Sequence, residues 1–341
     1  MVTYFRRLKC YQRFEFVSNL DIRISDVPSL MPNYLQNLTI RLATALARLD
    51  GDVRRRHADY LLAQQRGDGG FGGREGDSDL YYTGFALRGL ALLGELDGEV
   101  AERSAEFLQG RLASQAPIVD FLSLIYGAML LEMSAGIDVF AGGNPDWRRA
   151  VANALESYRR DDGGYAKGPE GASSSTYHTL LVVLCMQLIE VPLVEPQRMV
   201  AFVLSQRRED GGFVEIKPMR RSGTNPTAAA VGLLKICDAL DEQVRQDTID
   251  FLAEMQTDEG GLRANTRIPI ADLLSTFTGT LTLADLGAMD QLDDLPALRA
   301  YVRAMERPEG GFHGAVWDQS SDVEYSFYGL GSLGLLAERG E

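Results

Sequence analysis

Asp322 and Glu324 stand two residues apart at the head of an apolar stretch, Asp322-Val-Glu-Tyr-Ser326. Carboxyls set close together beside apolar surface push one pKa upward, which makes a usable proton donor. Asp272 heads an equivalent stretch, Asp272-Leu-Leu-Ser-Thr276, and is a third candidate acid. Arg263 and Arg267 share one glycine loop, and Arg220 and Arg221 share the preceding one with Lys217. Guanidinium forks suit bidentate capture of an oxyanion such as diphosphate. His178 offers a base or a phosphate donor. Tyr82, Tyr177, Tyr325 and Trp317 offer π faces to a hydrocarbon or a carbocation. Each group also has a plainer reading: the acids cap helices, the arginines are solvated loop charges, and the aromatics fill the core.

These residues fall at fixed places in a repeat. Glycine pairs occur at Gly69-Gly70, Gly163-Gly164, Gly211-Gly212, Gly260-Gly261 and Gly310-Gly311, spaced by 94, 48, 49 and 50 residues. The first spacing is two periods, so one repeat lacks its pair, near Ser114-Gln115-Ala116-Pro117. Each pair follows an amphipathic stretch and sits in an acidic-Gly-Gly loop, as in Asp68-Gly-Gly-Phe71, whose next residue is aromatic in every case but Leu262. A second stretch, apolar nearly all round, comes next, as in Thr83-Gly-Phe-Ala-Leu-Arg-Gly-Leu. Two helices per unit, one half-exposed and one buried, describe outer and inner rings. An open solenoid fits the same period, but such apolar helices do not line a wet concave face. The sequence therefore predicts an all-α, six-hairpin α/α toroid. Six repeats of about 48 residues span 43–341, and residues 1–42 form an extension on the outside or over one end. All six inner helices start at one mouth, whose positive dipole ends favour an anion above an apolar cavity.

Composition narrows the partners. The 341 residues carry a net charge of −14, which disfavours nucleic acid and anionic membrane. No stretch reaches the roughly 20 uninterrupted apolar residues of a membrane span. Cys10, Cys185 and Cys237 are too far apart for a disulfide framework, which suits the cytoplasm. Glycine is in excess, at 35 residues, and the repeated pairs absorb ten of them.

From about residue 45 onward the chain resembles the prenyltransferase β-subunits and the squalene/hopene and related terpene cyclases. The resemblance rests on Gln65-Arg-Gly-Asp-Gly-Gly-Phe-Gly72, Gln206-Arg-Arg-Glu-Asp-Gly-Gly-Phe213, Glu309-Gly-Gly-Phe312 and Asp322-Val-Glu-Tyr-Ser-Phe-Tyr-Gly-Leu330. The loop aromatic is Phe or Tyr rather than Trp, which looks like the protein prenyltransferase side, of geranylgeranyltransferase type. The resemblance implies a farnesyl or geranylgeranyl diphosphate in the cavity, and a helical α-subunit-like partner or a homodimer. Its zinc ligands, Asp, Cys and His, fall on Asp272, Leu274 and Tyr325, so no metal centre is expected. Magnesium accompanying the diphosphate is the one ion left open. Its diphosphate clamp falls on Gly223, Pro269 and Ser275, leaving Arg220, Arg221, Arg263 and Arg267 as substitutes. The leading expectation is therefore a zinc-independent prenyl transferase. The alternatives are a class II terpene cyclase acting by protonation from Asp322 or Glu324, and a non-catalytic isoprenoid-binding scaffold.

Overall fold

The computed structural model describes residues 33–112, 117–168, 170–318 and 320–338. A helix, α1 (Tyr34–Leu46), leads into six helical hairpins. Their first helices are α2 (Gly51–Ala63), α4 (Gly98–Gln109), α6 (Trp147–Glu156), α8 (Pro196–Ser205), α10 (Glu242–Ala253) and α12 (Leu295–Ala304). Their second helices are α3 (Leu80–Leu93), α5 (Ile118–Ala135), α7 (Thr176–Leu188), α9 (Thr224–Ile236), α11 (Leu273–Asp285) and α13 (Val323–Ala337). Each second helix packs on the next, and α13 returns to pack on α3, closing an inner ring. The chain is an α/α toroid.

Burial explains the two helix types. Val182, Val183, Leu184, Cys185 and Met186 are consecutive in α7 and none exceeds 6% exposure, because the inner ring is covered on both sides. The outer α10 buries only a stripe, Val244, Thr248, Ile249, Phe251 and Leu252. Helix α5, 18 residues of mean hydropathy 1.6, is long and apolar enough to cross a membrane by composition alone. It lies in the inner ring between α3 and α7.

Each glycine loop connects the two helices of a hairpin and packs on the next hairpin's outer helix. Gly69 takes φ +85°, and a Cβ there would collide with the Arg103 carbonyl of α4. Gly163, Gly211 and Gly260 approach α8, α10 and α12 in the same way. Gly310, at φ +101°, approaches the Arg56 carbonyl of α2, so the last loop closes the outer ring on the first outer helix. Where the residue before the pair is aspartate, it folds the loop. Asp68 accepts from the Gly70 amide (3.1 Å) and the Ser78 hydroxyl (2.9 Å), and Asp162 and Asp210 repeat the pattern. The aromatic that follows is fully buried at Phe71, Tyr165, Phe213 and Phe312.

A threonine then fixes each loop to its inner helix. The Phe71 amide donates to Thr83 Oγ1 at 2.9 Å, with the same bond at Tyr165–Thr179, Phe213–Thr227 and Leu262–Thr276, and Ser326 serving Phe312. Short antiparallel ribbons reinforce two loops: β1 (Tyr165–Ala166) with β2 (Ser174–Ser175), and β3 (Phe312–His313) with β4 (Ser321–Asp322). In the hairpin without a glycine pair, residues 113–116 lie outside the described residues and Pro117 precedes α5.

Helix α1 runs through residues 42 and 43, so no break in the chain marks that position. It packs on α3 and α13. Tyr34 Oη donates to Asp285 at 2.8 Å, and Arg41 pairs with Asp285 (2.7 Å) and Glu338 (3.1 Å). Both acids lie at inner-helix C-termini. Helix α1 therefore stoppers the end of the ring opposite the mouth.

Candidate functional site

The inner ring encloses a cavity of about 470 Å³, within the range of small-molecule sites. Five inner helices line it with the second residue after their N-cap: Tyr81, Tyr177, Asn225, Leu274 and Glu324. One turn further in stand Phe85, Leu181, Ala229, Thr278 and Tyr328, and Phe277 and Phe327 fill the gaps between helices. Tyr34, Leu35 and Leu38 of α1 form the floor. The rings of Phe85, Phe277, Phe327 and Tyr328 lie 5.3 to 5.7 Å apart in tilted or edge contacts. The lining is apolar and aromatic, with Glu324, Glu215, Arg88 and Asn225 as its main polar groups.

Of the three candidate acids, Glu324 lines the cavity and the two aspartates do not. Tyr81 Oη donates to Glu324 Oε1 at 2.7 Å and Tyr328 Oη at 3.3 Å. Burial raises the Glu324 carboxyl above the ordinary glutamate range. Tyr81 opposes the rise, neighbouring Asp322 adds to it, and Tyr328 and Arg88 pull down again. Asp322 caps α13 by accepting the Tyr325 amide (2.9 Å) and pairs with Arg74 Nε at 3.0 Å. Asp272 caps α11, its two oxygens accepting the Ser275 amide (2.7 Å) and hydroxyl (2.8 Å). Burial raises both aspartates, against these hydrogen bonds.

Tyr177 is 40% open and turns toward the cavity. Tyr82, His178 and Tyr325 come one residue later in their helices and are not in the cavity wall. Tyr82 packs against Gly73 and Tyr325 against Gly314, beneath their own loops. His178 Nδ1 lies 2.8 Å from Ser175 Oγ, which donates its single proton to Glu215 Oε1. Nδ1 is therefore the protonated nitrogen. Burial, then the Lys167 charge, lowers the His178 pKa to about 4.

The four arginines do not reach the cavity either. Arg220, Arg221 and Arg267 are exposed on loop tips, and Arg263 Nη2 donates to the Glu254 carbonyl at 3.0 Å, on the outer ring. Trp317 is 69% exposed on another tip. The cation in the wall is Arg88, which sequence reasoning passed over, as it did Tyr81 and Glu215. Arg88 had a readable signal: a lone charge in an otherwise apolar inner helix.

Asp272, Leu274 and Tyr325 supply one carboxyl already bonded to Ser275, an alkyl chain and a phenol packed under Gly314. That set lacks the three N, S or O ligands of catalytic zinc. Among the described residues, no group of three or more His, Cys, Asp or Glu side chains is placed to hold a metal.

Fold and cavity together define an α/α toroid around an apolar cavity, and the comparisons agree on the fold. The family profile described as the prenyltransferase alpha-alpha toroid domain matches residues 38–119 and 127–340. This chain belongs to that family. It is 26% identical over 172 residues to the protein farnesyltransferase subunit beta of Schizosaccharomyces pombe, covering 49% of this chain and 44% of that one. It is 26% identical over 183 residues to the Pisum sativum subunit, covering 51% and 42%. It thus spans under half the length of these relatives. Candida albicans protein geranylgeranyltransferase-I complexed with GGPP shares the fold, with a TM-score of 0.69, 16% identity, and coverage of 83% and 91%. A type II terpene cyclase from Scytonema in complex with geranylgeranyl dihydroxybenzoate gives 0.58, 11%, and coverage of 89% and 98%.

Proposed function

We propose that the protein binds an isoprenoid chain in its central cavity and acts on it without zinc, by proton transfer from Glu324 to an alkene. The carrying observation is Glu324 itself, a half-buried carboxyl in the wall of an aromatic-lined cavity, held by Tyr81 and Tyr328. A carboxyl whose pKa burial raises holds its proton to higher pH and is better poised to donate it. Its proton adds to a terminal alkene carbon, and the π pair of a second alkene closes the ring onto the cation. Loss of a proton to water ends the sequence, and Glu324 regains its own from solvent. The faces of Phe85, Phe277, Phe327 and Tyr328 stabilise the cation meanwhile.

This reading places class II cyclisation ahead of the prenyl transfer that the sequence alone favoured. Transfer needs cations around a departing diphosphate, and Arg220, Arg221, Arg263 and Arg267 stand outside the cavity. Prenyl transfer remains the second reading because the relatives are named as farnesyltransferase subunits. On it, a helical α-subunit-like partner or a second copy completes the enzyme, and magnesium accompanies the diphosphate. The non-catalytic scaffold predicts no turnover at all.

One assay separates the three. The protein is incubated with geranylgeranyl diphosphate, with and without a cysteine peptide as prenyl acceptor, and the products are identified by mass spectrometry. Cyclisation gives an isomer that keeps the diphosphate, whereas transfer releases it. Glu324→Gln should lose turnover by about 100-fold or more while still binding the substrate. Full activity in Glu324→Gln would falsify the proposal.

A further inference from the structure

Two turns in from the mouth the cavity wall changes character. Seven residues beyond the lining residue at each helix start stand Leu184 of α7, Gly232 of α9 and Leu281 of α11, but Arg88 of α3. Its Cζ lies 4.7 Å from the Phe85 ring centroid, 4.9 Å from Tyr126 and 5.8 Å from Phe327. Three rings surround the guanidinium, and it makes no hydrogen bond to a described residue. Nε is buried without a hydrogen-bond partner, and among the described residues the guanidinium has no ion pair. Glu324, the acid on the same wall, accepts its hydrogen bonds from Tyr81 and Tyr328 instead. A half-buried guanidinium on a cavity wall, with no ion pair among the described residues, is open to a ligand that completes it.

We propose that the ligand of this cavity carries an oxyanion, carboxylate or phosphate, which Arg88 receives as a bidentate partner. The charged end of the isoprenoid then lies inside the ring at the level of Arg88, not at the loop arginines. Seven helical residues separate Arg88 from Tyr81, about 10 Å along the axis. Tyr81 holds Glu324, so a folded chain anchored at Arg88 brings an alkene remote from its charged end to the acid. Anchoring and protonation are thereby assigned to different tiers of one wall. An oxyanion on Arg88 also removes the positive charge that draws the Glu324 pKa down, so ligand binding favours the proton-donating form.

The inference rests on the isoprenoid reading of the cavity, and the test separates the two. Binding of geranylgeranyl diphosphate, geranylgeranoic acid and geranylgeraniol is measured by calorimetry, below their micelle concentrations, for the wild-type chain, Arg88→Met and Arg88→Lys. The wild type should prefer at least one anionic ligand over the alcohol by about tenfold or more. That preference should collapse in Arg88→Met, with the alcohol bound as well as before, and survive in part in Arg88→Lys. The diphosphate and acid arms tell phosphate from carboxylate. Equal wild-type affinity for anions and alcohol overturns the proposal, as does an anion preference intact in Arg88→Met. If the wild type binds none of the three, the isoprenoid reading itself falls.

Discussion

Tyr81 Oη and Glu324 Oε1 are joined by a 2.7 Å hydrogen bond between residues 243 positions apart in sequence. The bond crosses the seam where α13, the last inner helix, meets α3, the first. The candidate acid is therefore held only in a closed ring.

This bond sets a pH dependence. Glu324 works as an acid only when protonated, so turnover should fall as pH rises through its raised pKa. Tyr81 stabilises the ionised form, so Tyr81→Phe raises that pKa further and moves the fall to higher pH, by up to about one unit. A pH–rate profile that shifts downward or does not move rejects this role for Tyr81.

The outer ring closes through a second polar cluster. His57, 1% exposed, accepts the Gly311 amide on Nδ1 at 3.1 Å, which leaves its ring proton on Nε2, 3.3 Å from Glu306. Burial raises the Glu306 pKa, but hydrogen bonds from His57 and Arg303 outweigh it and hold the carboxyl below the ordinary range. A lowered carboxyl contributes stability above its unfolded value, near pH 4.3, that is lost as pH falls through the folded value. Glu306→Gln should cost about 2 kcal/mol at neutral pH and flatten the acid limb of stability in urea titrations. An unchanged acid limb would show that the pair does not tie the seam.

Gly310→Ala and Gly76→Ala make a matched pair. Both glycines have positive φ, but only Gly310 faces a carbonyl, Arg56 of α2, while nothing lies within 4 Å of a Cβ at Gly76. Gly76→Ala should cost the left-handed penalty alone, about 1–2 kcal/mol. Gly310→Ala should cost roughly 4 kcal/mol or prevent folding. Equal midpoints in chemical denaturation would mean that the outer ring is not closed at Gly310.

The architecture was legible because its determinants are local and repeated. The glycine pairs announced six hairpins since each loop must fit a backbone carbonyl of the next outer helix, a demand no other residue meets. N-cap aspartates marked the starts of α3, α11 and α13, and Ser175 and Gly223 those of α7 and α9. The cavity wall was harder, because it turns on register. Tyr82 and Tyr325 sit one residue past the lining position, and a single step around a helix turns a side chain by about 100°. Tyr81 and Arg88 were overlooked for the complementary reason. Nothing local shows that Tyr81 meets a carboxyl from the far end of the chain, or that Arg88 faces inward.

The floor predicts chain-length selectivity. Leu35 and Leu38 close the cavity from α1, so Leu38→Ala deepens it. Preference should move toward an isoprenoid one unit longer by on the order of tenfold, measured by competition among farnesyl, geranylgeranyl and geranylfarnesyl ligands. Unaltered preference would place the chain end elsewhere.

The stopper also governs traffic. With α1 tied to Asp285 and Glu338, the cavity is a blind alley, and its occupant must back out through the mouth it entered. A new ligand cannot push an old one onward. On the cyclisation proposed above, a product stiffened by ring closure would reverse through a passage that its flexible precursor threaded with ease. Emptying would then be the slow step, and the first turnover would outrun those that follow.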